Sequence, residues 1–201
     1  MSTAAPAGKR EQTKQANRAA ILGAARTVFA EMGYGAAPVR DIVRATDLAA
    51  GTFYNYFPDK EAVFRALLEE SAVRVRERTR EGRSGATTLE EFVRGGYFAY
   101  FQAVAEDPMT FELTRRNAGT IRTLFNTPGI GAGVDELRTD LEAAVAAGLM
   151  PDVDIEYTAA AMVGVGFEVG VRMVAREPID PERAADFATR LFLGGLELLR
   201  S

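Results

Sequence analysis

The chain has 201 residues, 47% of them hydrophobic and 26% charged, with a net charge of -4 and neither cysteine nor histidine. That balance describes a folded chain, long enough for one domain or for a small domain attached to a larger one. Without thiols or imidazoles there is no disulfide, no cysteine nucleophile and no imidazole base, and no carboxylate cluster has hard-cation spacing, so no catalytic residue, metal or cofactor is expected.

Charge is unevenly divided. Residues 1–60 carry eight Lys or Arg against five Asp or Glu, a net +3, which leaves -7 for the remainder. The basic end is the candidate nucleic-acid end. Residues 1–12, rich in Ala, Pro, Gly and polar groups, predict a flexible arm made basic by Lys9 and Arg10. They lack the apolar stretch of a secretory signal. The longest apolar run near the C-terminus, Tyr157 to Phe167, gives way to Glu168 and Arg172, short of the ~20 residues that span a bilayer. A cytoplasmic protein with no membrane partner is the expectation.

From Thr13, the positions Ile21, Ala24, Ala25, Val28, Phe29 and Met32 keep helical spacing as far as Gly33-Tyr34-Gly35. Pro38 suits a first helical position, and Val39, Ile42 and Val43 place a short second helix over 38–45. After Thr46-Asp47-Leu48 a third is predicted over 49–55, and Pro58-Asp59-Lys60-Glu61 opens a long fourth reaching Arg80. Turn-rich residues 81–86 end it, and Thr88 with Glu91 is a capping-box signature for a fifth. Helical periodicity continues over Leu89 to Ala105, less regularly over 108–127, then over Val134 to Leu149. Asp154 can cap a helix to Arg176, and Asp180-Pro181 a last one to Arg200. The fold class is therefore all-α, about nine helices: an arm (1–12), a three-helix helix-turn-helix domain (13–57), a connecting helix (58–80) and a C-terminal helical bundle (81–201).

Two short helices joined as tightly as those in Pro38 to Phe57 must cross steeply. On the second, Phe53 and Phe57 face inward with Leu48, while Gly51, Tyr54 and Asn55 turn the opposite way. Such a helix fits a DNA major groove: Gly51 allows close backbone approach, and Asn55 offers the paired donor and acceptor that match adenine.

The run Ala20 to Leu67 resembles the tetracycline-repressor (TetR) family of transcriptional regulators. The resemblance rests on Gly33-Tyr34, on Val39-Arg40-Asp41-Ile42 and on Gly51-Thr52-Phe53-Tyr54-Asn55-Tyr56-Phe57-Pro58-Asp59-Lys60-Glu61-Ala62. It implies DNA contacts by Arg40, Thr52, Tyr54, Tyr56 and Lys60, with Lys14 and the arm as further phosphate contacts. Ala50 and Gly51, at the start of the recognition helix, complete the candidate set. There are departures. Ala37-Pro38 stands where the family usually has a hydroxyl residue, Asp47 where a turn glycine is common, and Ala49-Ala50 where polar or basic residues usually begin the recognition helix.

The last two helices bear apolar stripes interrupted by glycines: Met162, Gly166, Val169, Gly170 and Met173 on one, Phe187, Leu191, Gly195 and Leu198 on the other. They predict a homodimer surface, a bundle of two helices from each copy that resembles the family arrangement. By the same resemblance, the aromatic-rich region after residue 92 implies a small-molecule effector pocket. Its candidate lining is Phe98, Phe101, Phe111, Ile121, Phe125 and Phe167, with Arg115 and Asn117 as polar anchors. The resulting expectation is a repressor, not an enzyme, released from a near-palindromic double-stranded operator by a small, hydrophobic effector. The alternatives are a helical interaction module and a helical enzyme that does not bind DNA.

Overall fold

The computed structural model describes residues 8–117 and 128–198, apart from the side chains of 128–130 and 197–198. The described residues form nine helices and no strand: α1 (Lys9–Met32), α2 (Val39–Arg44), α3 (Ala50–Tyr54), α4 (Lys60–Arg83), α5 (Leu89–Glu106), α6 (Pro108–Arg116), α7 (Pro128–Ala146), α8 (Ile155–Val174) and α9 (Pro181–Leu198). They divide into two compact units within α4, one reaching Leu68 and the other beginning at Glu69.

The arm expected over residues 1–12 is helical from Lys9 onward, four residues before the predicted start of α1. Apolar periodicity could not reveal this. Residues 9–20 are exposed on every side except at half-buried Asn17, so strong helix formers (Lys, Arg, Glu, Gln, Ala) carry those turns by propensity, helped by Glu11 in the first turn. From Ile21 the helix acquires a buried face of Ile21, Leu22, Ala25, Val28 and Phe29. It ends at Gly33, whose φ of 78° suits a residue without Cβ and whose N–H donates to the Phe29 carbonyl.

Pro38 stands just outside α2 as an extended residue, not inside as its first helical position, and α2 has no side-chain cap. The turn to α3 is held by Thr46: its hydroxyl donates to the Val43 carbonyl (2.8 Å) and accepts the Leu48 N–H (3.3 Å). No non-glycine residue among those described has positive φ, so Asp47 fits the turn without strain. α4 opens at Lys60, two residues later than Pro58, because the Asp59 carboxylate accepts the Ala62 N–H (2.8 Å). Ile42, Phe53, Phe57, Val63, Phe64 and Leu67 close the core of this unit against α1.

In the second unit α5 begins with the expected capping box: the Thr88 hydroxyl accepts the Glu91 N–H (3.1 Å), and the Glu91 carboxylate accepts the Thr88 N–H (3.2 Å). Asp154 and Asp180 cap α8 and α9 as expected, accepting N–H groups from Tyr157 and Arg183 (both 3.0 Å). α9 packs most extensively on α5 through Ala184, Ala185 and Ala188, small residues that let the helices approach closely. α8 packs on α5, α6, α7 and α9. By length and composition α8 could cross a membrane, which the sequence run did not suggest. A third of it is buried among these helices, and it carries Glu168 and Arg172.

Within this unit the last turns of α4 are held by charge and by backbone contact. Buried Arg83 donates twice to the Asp140 carboxylate of α7, from Nε (2.9 Å) and Nη2 (2.6 Å). Arg76 pairs with Glu136, Arg78 with Glu106, and Arg74 with Asp107. Beside Arg83, Gly82 of α4 and Gly95 of α5 meet backbone to backbone, so that a Cβ on either would overlap the carbonyl of the other.

Candidate nucleic-acid interface

α3 has two faces. Phe53 is buried, with Phe57 behind it (ring centroids 6.2 Å apart), while Ala50, Gly51, Tyr54 and Asn55 are exposed. Tyr54 keeps 58% of its surface open, its ring touching only the edge of Phe53 (5.2 Å) among the aromatic contacts. A Cβ at Gly51 would meet nothing within 4 Å, so the absence of a side chain there leaves open room in front of the helix. Thr52 and Tyr56 lie half-buried on one flank. Arg40 is exposed on α2, its Nε 3.7 Å from Asp41, and Lys14 is exposed on the first half of α1.

Lys60 is placed differently from a free phosphate contact. Its ammonium donates to the carbonyls of Tyr34 (2.8 Å) and Gly35 (3.1 Å) and sits 4.8 Å from the Tyr34 ring centroid. It ties the α1–α2 turn to the start of α4, and one of its three donors remains for another partner. The Tyr34 ring stacks on Phe64 (4.4 Å), and burial, followed by Glu61 and Asp59, raises its phenol above the ordinary value. One residue the sequence reading passed over is Arg18, whose guanidinium carbon lies 5.7 Å from the Phe57 ring centroid. Its signal was the four-residue spacing from Lys14.

The proposed effector lining is only partly brought together. Phe111 and Phe167 meet at 5.6 Å, Phe98 is half-buried under Arg94, and Ile121 and Phe125 lie outside the described residues. Phe101 is a fully buried core residue between Tyr97 and Tyr100. Arg115 is not an inward anchor: on the exposed side of α6 it and Arg116 both bind Glu112 (2.6 and 2.7 Å). The bond from Arg115, joined by one from Arg116, holds the Glu112 carboxyl down to about 2. Asn117 instead closes its own helix, donating to the Leu113 carbonyl (2.8 Å). Tyr97 and Tyr100, absent from the predicted lining, face α8, and burial raises both phenols. The Tyr97 hydroxyl donates to the Met162 carbonyl (3.3 Å).

The predicted dimer stripe on α8 is corrected. Met162 and Met173 are buried within the chain, and Gly166 and Gly170 lie against Tyr97, Tyr100 and Phe111; a Cβ on Gly170 would sit 3.2 Å from the Phe111 Cζ. Val169 is half-buried in the same packing. α8 is apolar on nearly every side, so periodicity did not distinguish its inner face. Its outer face carries Tyr157 (78% exposed), Ala160, Ala161, Val163 and Gly164. On α9, Phe187 (59%), Leu191 (54%), Gly194 and Gly195 are exposed; the Leu198 side chain lies outside the described ones. Gly164, Gly194 and Gly195 all face open space.

A short helix held from behind by phenylalanines, with its polar side outward and a tight turn before it, defines a helix-turn-helix protein. The profile of the family described as "Bacterial regulatory proteins, tetR family" matches residues 21–67. The HTH-type transcriptional repressor AcnR of Corynebacterium efficiens is 31% identical over 138 residues, 69% of this chain and 66% of AcnR. The match thus spans just under two thirds of that relative's length. The fatty acid degradation regulator FadR of Bacillus halodurans superposes with a TM-score of 0.79 at 25% identity, covering 97% of this chain and 98% of FadR. The transcriptional regulator FadR of Bacillus subtilis, solved in complex with stearoyl-CoA, superposes at 0.78 with 23% identity over 88% of this chain and 98% of its own. The chain belongs to the TetR family of bacterial regulatory proteins.

Proposed function

We propose that this protein is a dimeric transcriptional repressor that binds a near-palindromic operator through α3 and releases it when a small hydrophobic effector binds in the second unit. The observation that carries the reading is the division of α3 into a buried phenylalanine face and an open face of Ala50, Gly51, Tyr54 and Asn55. The open face enters the major groove, where Asn55 reads an adenine edge. Thr52, Tyr56, Arg40, Lys14 and the remaining donor of Lys60 take phosphates. The naming of AcnR as a repressor supports the direction of control.

Two copies pair through the outer faces of α8 and α9, which together expose four large apolar side chains and three glycines open to a neighbouring backbone. Introducing Phe187→Glu and Leu191→Glu together is expected to halve the mass in light scattering, from twice the 21.7 kDa chain to the chain itself. Folding survives, because both side chains are exposed in the single chain. A variant that stays dimeric removes this interface.

The effector contacts the aromatic cluster of Tyr100, Phe111 and Phe167, where α5, α6 and α8 meet. Stearoyl-CoA, bound by the Bacillus subtilis neighbour, is the first probe. In a gel shift with the region upstream of the protein's own gene, the free protein is expected to retard the fragment and stearoyl-CoA to release it, as reciprocal linkage requires. No retardation at low salt would leave the interaction-module reading, and equal operator affinity with and without bound thioester would dismiss this effector.

A further inference from the structure

We propose that Ala50 reads the 5-methyl group of a thymine, so that with Asn55 on an adenine the operator core beneath α3 consists of A·T pairs and no guanine is read there. This rests on the operator-binding reading above and adds the chemistry of the bases that α3 accepts. Direct readout depends on what a helix presents: arginine or lysine for guanine, an amide for adenine, a small apolar group for the thymine methyl. Residues 45–59 contain neither lysine nor arginine. The cations that flank them are engaged: the guanidiniums of Arg40 and Arg44 both lie within 4 Å of Asp41, and the Lys60 ammonium is held by two carbonyls.

What α3 does present lies in two adjacent rows. Ala50 and Tyr54, four residues apart, are both exposed, and so are Gly51 and Asn55. Ala50 opens the first row with a single methyl group, beside exposed Ala49, where the family usually has polar or basic side chains. The second row opens on a residue with no side chain. A Cβ at Gly51 would meet nothing within 4 Å, so bases can come up to the helix backbone there, and the short Ala50 side chain touches a groove floor that a longer neighbour would hold off. Asn55 closes the row as the C-cap of α3, still in helical geometry (φ -72°, ψ -19°), and its side-chain amide makes no hydrogen bond among the described residues. Donor and acceptor are thus both free for an adenine edge, which takes one of each. From Ala50 to Asn55 the helix advances about 7.5 Å, roughly two base-pair steps, so the thymine and the adenine belong to one short A·T stretch. Asp47, exposed in the turn before α3, could accept from a cytosine amine, but the phosphates that line the groove repel its carboxylate.

The test is selection of bound duplexes from a random-sequence library by the full-length wild type, Ala50→Gly and Asn55→Ala. The wild type is expected to enrich half-sites that share an A·T stretch, and the positions whose preference relaxes in the two variants are those that α3 reads. Binding is then measured at matched salt. Exchanging the pair relaxed by Asn55→Ala for G·C weakens the wild type about tenfold or more. Placing deoxyuridine for thymine at the position relaxed by Ala50→Gly weakens it about fourfold, the worth of one buried methyl group. Ala50→Gly has no methyl to bury there and binds the thymine and deoxyuridine duplexes alike. That comparison is internal to the variant, so its lower helix propensity does not disturb it. G·C at the relaxed positions, or the same preference in all three proteins, overturns the proposal while the operator reading stands. So does deoxyuridine that leaves the wild type unchanged or weakens Ala50→Gly to the same degree. If the wild type enriches no sequence, the operator reading itself has failed, and the proposal with it.

Discussion

Phe53→Ala is expected to cost about 3–5 kcal/mol and to unfold most of the N-terminal unit, whereas Tyr54→Ala, one residue on, costs under about 1 kcal/mol and lowers operator affinity tenfold or more. Phe53 is buried against Phe57 in a unit whose core contains few other large side chains from α2 and α3. Removing its ring leaves a cavity that two short helices, each without a side-chain cap, are poorly able to fill. Tyr54 meets only the edge of Phe53 among the rings and is otherwise open, so its loss forfeits little beyond one aromatic contact. Denaturant melts followed by circular dichroism measure the first effect, and binding at matched salt the second. Wild-type operator affinity in Tyr54→Ala would show that α3 meets DNA by another face, or not at all.

The second large effect is at the crossing of α4 and α5, where Gly95→Ala is expected to lower stability by about 2 kcal/mol or more. Alanine is the better helix former by about 1 kcal/mol, so propensity alone predicts a gain. The sign reverses because the new methyl would fall on the Gly82 carbonyl, and both obstacles are main chain of packed helices, which cannot rotate aside. Gly82→Ala meets the Gly95 carbonyl and the Ala99 Cβ (2.9 Å) and should behave alike. Gly23→Ala is the control: it too lies in a helix, but its Cβ would enter open space, and it should stabilise by about 0.5–1 kcal/mol. A Gly95→Ala protein with an unchanged denaturation midpoint would mean that the two helices separate readily. The pair of buried Arg83 with half-buried Asp140 beside this contact would then have to hold the end of α4 largely alone.

What could be read in advance was whatever depends on neighbours along the chain. The Thr88–Glu91 box, the Asp154 and Asp180 caps and the Gly33 stop involve groups three or four residues apart, and their bonds form as the sequence implies. The two faces of α3 follow from phenylalanines one turn apart, and with the motif from Gly51 to Ala62 they were enough to point to the family. Polar side chains proved harder to place. Arg115, Asn117 and Lys60 are polar groups near a proposed site, yet each first serves a local need: an ion pair on its own helix, a carbonyl at a helix end, the carbonyls of a turn. Composition cannot say whether a donor has already been taken.

The amino-acid order alone determined an all-helical chain, several of its helix caps and a short two-faced helix near the start, since those features arise from contacts within about one turn. Tertiary packing decided which side of α8 is inside. A helix apolar around most of its circumference carries no record of its orientation, so only the rings of Tyr97, Tyr100 and Phe111 show that Gly166 and Gly170 face inward while Gly164 and Tyr157 face out. The contact of Gly82 with Gly95 and the pairing of buried Arg83 with Asp140 were likewise set in three dimensions, between residues that nothing in their immediate sequence could match.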